Sequence, residues 1–410
     1  MSNIKMKNKP TPCLAPLLSV AVAPNGRLRP CCWWYGYDKL ERDHNIQKMD
    51  IQEYRNSILK RYYKMMELDE YPMGCQKCDG PLIPRYDSYN NQYPQFKGKK
   101  WGEVANFKHL DLRFGNLCNA SCITCNYKNS NYFGKVAEQG YYLAPGQMPK
   151  TEEKRNQIDK TMTWHEDPKV IENIIESLED VDYIYATGGE PTINPTLQKV
   201  MQHLIDENRA DKITIEINTN GTNTNQKFLH MFEKFRKVVL FSMDAIGDLN
   251  DAMRFPTKFV QMEKNYWKYN DIMKRGDRLM ITPAVTMHNW LSMADMFRWI
   301  NENQAALASK LNVLYLPVWQ CISRMPREIL EMGYQDMLKV EKVRSIKHRY
   351  VDTSILVNDI KGRLGNVTVY KPPIEGDQYE TWAESLEITR KWFASRGFDP
   401  ALTKIPELCG

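Results

Sequence analysis

No hydrophobic run in this chain reaches bilayer length. Near the N-terminus the longest, Leu17 to Ala23, is also too short for a signal-peptide core with a cleavage site, and MSNIKMKNKP ahead of it is polar. A membrane partner is therefore not expected, and a cytoplasmic location is. Charge of one sign is missing too: 56 Lys and Arg stand against 50 Asp and Glu, a net +6 that reads as a mixed solvated surface and not as a nucleic-acid footprint. The basic run Lys97 to Trp101 is read as exposed linker. Internal repeats and low-complexity tracts are absent, so 410 residues at 42% hydrophobic content should form one large or two modest globular domains. The last absence is the most telling. Cys118, Cys122 and Cys125 lie close together without a fourth cysteine beside them.

Ten cysteines in an intracellular chain of this size point to metal or catalysis, because a reducing compartment does not keep disulfides. Five of them, Cys13, Cys31, Cys32, Cys75 and Cys78, precede Lys100, and only Cys321 and Cys409 stand apart from both groups. Three thiolates spaced C-x3-C-x2-C can each bind one iron of a 4Fe-4S cube and leave the fourth iron for an outside ligand. Zinc completed by a distant histidine, or unrelated buried thiols, are the plainer readings.

Around the triple, apolar strands alternate with amphipathic helices, the pattern of parallel βαβ units. The spacing predicts strands at Lys108 to Arg113, Val181 to Tyr185, Lys212 to Asn218, Val238 to Met243, Leu279 to Val285 and Asn312 to Pro317. Helices are predicted at Pro168 to Leu178, Pro195 to Asp206, Asn225 to Phe235, Lys258 to Lys274 and Leu291 to Asn303. Six βα steps fit either a doubly wound sheet or an incomplete barrel, and periodicity does not choose. Ahead of them, LLSVAVAPNGRLRPCCWW reads as two short strands about a Pro-Asn-Gly turn, Ile51 to Leu68 as a helix, and Pro81 to Lys100 as a linker. The long stretch from Asn126 to Asp167 is a candidate lid, and Tyr379 to Ser395 a helix of a C-terminal extension.

The triple sits at the carboxyl end of the first of these six strands, where parallel α/β folds place their chemistry. C-x3-C-x2-C in that position, followed by ATGGEPTINPTL after the second strand, INTNGT after the third and LFSMDAIGDLNDAMR after the fourth, resembles the radical S-adenosylmethionine (radical SAM) superfamily. The resemblance implies an α/β fold with a partial (β/α)6 TIM-type barrel. It implies a SAM-binding 4Fe-4S cluster on Cys118, Cys122 and Cys125, and a 5′-deoxyadenosyl radical that takes a hydrogen atom from substrate. It further implies that Gly188, Gly189 and Glu190 meet the methionine amino group, that Asn218 and Ser242 bind ribose or carboxylate, and that Arg254 pairs with the carboxylate. Asp244 would face ribose or substrate, and Val285 would line the adenine. Thr124 is a departure, since many members carry an aromatic residue there.

C…PNG…PCCW…GC-x2-C before that core resembles the auxiliary-cluster segment of Twitch-domain proteins, relatives of the SPASM group. It implies a second 4Fe-4S cluster in a small N-terminal α+β domain, on Cys13, Cys31, Cys75 and Cys78, with Cys32 the substitute for Cys31. Zinc would suit four cysteines equally on chemistry alone. The plan implied is a cluster domain and linker at residues 1–100, a radical SAM core at 101–325 and an unassigned extension at 326–410. Expected partners are a peptide, protein or small-molecule substrate and a low-potential electron donor such as flavodoxin or ferredoxin. Oxidative modification of a peptide or protein side chain is favoured over dehydrogenation of a small alcohol or sugar-like metabolite. A non-catalytic iron-sulfur or zinc module is the alternative of a different class.

Overall fold

The computed structural model describes residues 3–4, 12–34, 44–79, 85–308, 311–346, 349–365 and 381–409. The chain forms two compact units, one of Met1–Leu117, Glu152–Ile217 and His230–Arg236, the other of Cys118–Thr151, Asn218–Leu229 and Lys237–Gly410. Its strands are predominantly parallel and alternate with helices, an α/β fold.

In the first unit, strand β1 (Ser19–Val22) turns through Pro24, Asn25 and Gly26 into β2 (Leu28–Arg29), pairing antiparallel with Val22 opposite Leu28. This is the expected hairpin. Its other edge runs parallel to β3 (His109–Arg113), with Ser19 opposite His109, so the N-terminal hairpin extends the sheet of this unit. Strand β4 (Tyr183–Thr187) pairs parallel with β3, and β5 (Thr214–Thr219) with β4. Side chains alternate across this sheet because the strand period is two. Ile184, Ala186, Ile215 and Ile217 are fully buried on one face, while Tyr183 donates to Glu216 and Arg113 holds Asp111 at 3.2 Å on alternate positions.

Two expectations change in this unit. Pro81 to Lys100 is not free linker: Pro81–Pro84 lie outside the described residues, but Arg85–Gln92 is a helix. Tyr89 meets Ser19 Oγ at 3.0 Å, and the Tyr93 hydroxyl donates to Asp182 at 3.0 Å. Tyrosines bury their rings and still satisfy their hydroxyls, so a Tyr- and Asn-rich stretch can be packed wall. The helix from Ile51 also carries one π turn, Arg55–Leu59, before resuming as Lys60–Glu67.

In the second unit, β6 (Arg236–Phe241, from Lys237 onward) pairs parallel with β7 (Arg278–Ile281). The predicted strand to Val285 breaks at Pro283, which has no N–H for a ladder, and resumes as β8 (Ala284–Val285), parallel to β9 (Asn312–Val313). The C-terminal extension is no appendage here. Helix Trp382–Ser395 is fastened by Trp392 Nε1 to the Ala252 carbonyl at 3.2 Å and by Thr389 Oγ1 to His288 Nε2 at 3.1 Å. Tyr379 and Glu380, predicted as its first residues, lie outside the described residues.

Candidate functional site

The cysteine loop is pinned by its backbone. Asn131 Oδ1 accepts the Cys118 N–H at 3.1 Å, the Phe255 carbonyl accepts Ser121 N–H at 2.8 Å, and the Met253 carbonyl accepts Ile123 N–H at 2.7 Å. Gln147, buried, donates from Nε2 to the Ile123 carbonyl at 3.0 Å while its own carbonyl accepts from Tyr127 N–H. Residues 126–151, the first part of the candidate lid, therefore brace the loop and bury Tyr127, Phe133 and Val136. Within this unit those residues support the loop.

Cys122 is buried, and Cys118 and Cys125 are half-buried. Burial, then the neighbouring Cys122 and Cys118 sulfurs, push the Cys125 thiol well above the usual range. Three thiols that oppose one another's ionisation need a cation among them before they can ionise together. Among the described residues, no three His, Cys, Asp or Glu side chains close around a single ion. Three cysteine thiols with no fourth beside them are a donor set that suits a 4Fe-4S cube with one iron left open.

Sulfur is met by polar groups that the sequence reading passed over. Asn220 points Nδ2 at Cys118 Sγ, 4.0 Å away, and donates to Asn119 Oδ1 at 2.8 Å, while Asn119 Nδ2 donates to Thr222 Oγ1 at 2.8 Å. The signal lies in NTNGT, where Asn220 stands two residues beyond Asn218. Asn218 Oδ1 accepts from Ser242 Oγ at 3.1 Å, which brings those two predicted residues together. Asp244 and Arg254 pair with each other at 2.9 Å, both buried. Asp244 also accepts from the Ala284 N–H at 2.8 Å, directly before Val285, which is itself fully buried. Burial alone would lower the Arg254 pKa, but the Cys122 sulfur and the Asp244 carboxylate hold it above its ordinary value. Its buried Nε has no partner among the described residues.

In the first unit, Gly188 and Gly189 have φ of +90° and +58°. A Cβ at Gly189 would stand 2.1 Å from the Leu117 carbonyl oxygen, so only glycine allows this approach to the residue preceding Cys118. Glu190 N–H donates to the same carbonyl at 2.8 Å, and its buried carboxylate accepts from Thr192 N–H and Oγ1. The N-terminal thiols are also in this unit. Cys13, Cys31, Cys75 and Cys78 line one small cavity with apolar walls that include Met66 and Trp34, and Cys32 is not among its lining. Burial, followed by the charges of Cys32, Cys13, Cys75 and Cys78, drives the Cys31 thiol well upward. No disulfide joins any of the ten cysteines, all of which are described, and Cys321 is buried with its sulfur 3.3 Å from the Pro317 carbonyl.

Residues 112–297 match the family model described as Radical SAM superfamily. An uncharacterized protein of Methanocaldococcus jannaschii is 28% identical over 155 residues, covering 37% of this chain and 43% of that protein. This chain thus aligns to less than half of the length of the curated relative it matches. Among solved structures, Streptococcus suis SuiB bound to S-adenosylmethionine is similar at TM-score 0.35 and 13% identity, over 71% of this chain and 60% of that one. The protein anSMEcpe with bound AdoMet is similar at TM-score 0.35 and 15% identity, over 49% and 50%. The match to the radical SAM superfamily model begins at Leu112 and so takes in the loop of three thiols and the Gly188–Gly189 pair.

Proposed function

We propose that this chain is a radical SAM enzyme with a core built as a partial (β/α)6 barrel. What carries the reading is a triple of thiols with no fourth cysteine beside it, held by backbone hydrogen bonds and lying within the residues that match the family model. Cys118, Cys122 and Cys125 would hold a 4Fe-4S cluster, and S-adenosylmethionine would take its open iron. When bound, this pair supplies one-electron cleavage of a carbon–sulfur bond and the removal of a hydrogen atom from substrate.

The chain's own residues do the positioning. Gly188 and Gly189 leave room at Leu117, where a side chain would press on the cysteine loop's entry. Asn220 offers an N–H to the Cys118 sulfur, and hydrogen bonds to a ligating sulfur tune a cluster's potential. Arg254 brings positive charge beside Cys122, which favours the thiolate that a cluster needs. Asn218, Ser242, Asp244, Glu190 and Val285 remain the proposed cofactor contacts.

Cys13, Cys31, Cys75 and Cys78 would hold a second 4Fe-4S cluster; four thiols lining one cavity support that set over one containing Cys32. With this N-terminal plan we favour oxidative modification of a peptide or protein side chain, with electrons from flavodoxin or ferredoxin. Among the described residues no helix is long and apolar enough to cross a membrane.

Anaerobic reconstitution with iron and sulfide, followed by iron counting and a 5′-deoxyadenosine assay under dithionite, tests the reading. Two clusters predict about eight irons and SAM cleavage. Replacing Cys118, Cys122 and Cys125 together by Ala should abolish cleavage and leave about four irons on the N-terminal thiols. Tight zinc binding without cleavage would sink the enzyme in favour of a binding module.

A further inference from the structure

Arg396 lies one residue beyond helix Trp382–Ser395 and is only 7% exposed. One end of its guanidinium is anchored: Nη1 donates to the Tyr142 carbonyl at 3.0 Å, the Trp392 carbonyl at 3.3 Å and Ser395 Oγ at 2.9 Å. The plane lies over the Trp392 ring, 3.2 Å from its centroid, with Tyr141 and Phe255 at 5.6 and 5.4 Å. The opposite edge is bare. Among the described residues, Nε and Nη2 are both buried and neither has a hydrogen-bond partner.

A buried charge with two unused donors is costly unless something pairs with it. Nε and Nη2 form the side of the fork that takes a carboxylate through two parallel bonds. We propose that Arg396 is a carboxylate-binding residue, with its Nε–Nη2 edge gripping one carboxylate inside the Tyr141, Phe255 and Trp392 aromatic box. A single fork suits a planar, singly charged group with two oxygens; phosphate carries more charge than one edge satisfies. Burial holds the Arg396 pKa down to about 9.

The position ties this edge to the chemistry. Phe255 of the box accepts Ser121 N–H, between Cys118 and Cys122, so the carboxylate would sit one residue away from the loop's support. Two sources share the chemistry: a substrate acid and the methionine carboxylate of S-adenosylmethionine. Assignment to either rests on the proposed function, whereas the site rests on Arg396's own geometry. Carboxylate binding without SAM cleavage would keep the site and lose the enzyme reading.

The test is equilibrium binding to the full chain without metal, read by tryptophan fluorescence and thermal midpoint. Propionate is compared with propionamide, and S-adenosylmethionine with its decarboxylated form, at equal ionic strength. We expect saturable binding by the acid form in at least one pair, weakened about tenfold or more in Arg396→Lys, which keeps charge but loses the fork. The responding pair identifies the source. Equal behaviour of both members in both pairs overturns the proposal, as does undiminished acid binding by a folded Arg396→Lys. If that variant does not fold, the acid–amide comparison decides alone.

Discussion

At the scale of single residues, backbone geometry and burial set the clearest expectations. Gly189→Ala places a Cβ in the left-handed region and against the Leu117 carbonyl. The conformation alone costs about 1–2 kcal/mol, and relief of the clash must move the entry to the cysteine loop. Urea denaturation should show at least that loss, and SAM cleavage should fall with it. His288 gives a pH signature. It is fully buried between Thr286 and Thr389, and burial lowers its pKa from 6.5 to about 3. The unfolded chain takes up this proton below about pH 6.5 and the folded chain does not, so stability is present above that pH and declines as pH falls toward 3. His288→Gln should flatten the slope of unfolding free energy between pH 6 and 4 by up to about 1.4 kcal/mol per pH unit. An unchanged slope would place the titration elsewhere. The cysteine triple stands out in sequence by its spacing alone. Asn220 and Arg396 do not, since one asparagine or arginine among many gains meaning only from what faces it.

At the scale of elements, caps and periodicity agree. Helix Pro195–Asp206 begins where predicted because Asn194 accepts from Thr196 N–H at 2.9 Å and from Leu197 N–H at 3.4 Å, with Pro195 at the first helical position. Asn194 also donates to the Phe114 carbonyl at 3.3 Å, joining the helix start after the Gly-Gly-Glu turn to the end of β3. Asn194→Ala should cost about 1–2 kcal/mol by chemical denaturation, the upper end reflecting the second bond. Strand and helix positions from β3 to the helix Met293–Glu302 follow the apolar pattern closely because each strand is short and each helix has one buried face. Two stretches share a trait. Pro81 to Lys100 and Asn126 to Asp167 are rich in Tyr, Asn and Gln and look like surface in sequence, yet single buried members fasten each stretch, Tyr93 to Asp182 and Gln147 to Ile123.

For the whole molecule, the two thiol groups should load separately, because the second is replaced without touching the loop that holds the first. Changing Cys13, Cys31, Cys75 and Cys78 to Ser should lower reconstituted iron from about eight to about four per chain and leave reductive SAM cleavage measurable. Loss of all iron would mean that the assemblies depend on each other. Which of a doubly wound sheet and a barrel the six βα steps form was not readable from period, since both share the same local alternation. Nor was the role of the last eighty or so residues, because tertiary bonds such as Trp392 to Ala252 leave no periodic trace.

Those bonds also impose an order in time. The cysteine loop leaves the ribosome long before Trp392 and Arg396 exist, so during synthesis the bonds they give to Ala252 and Tyr142 form last. A chain halted partway carries its thiols on a scaffold still missing its brace. Metal insertion that follows completion of the last helix would find the loop at its final geometry; insertion earlier would meet a nascent one.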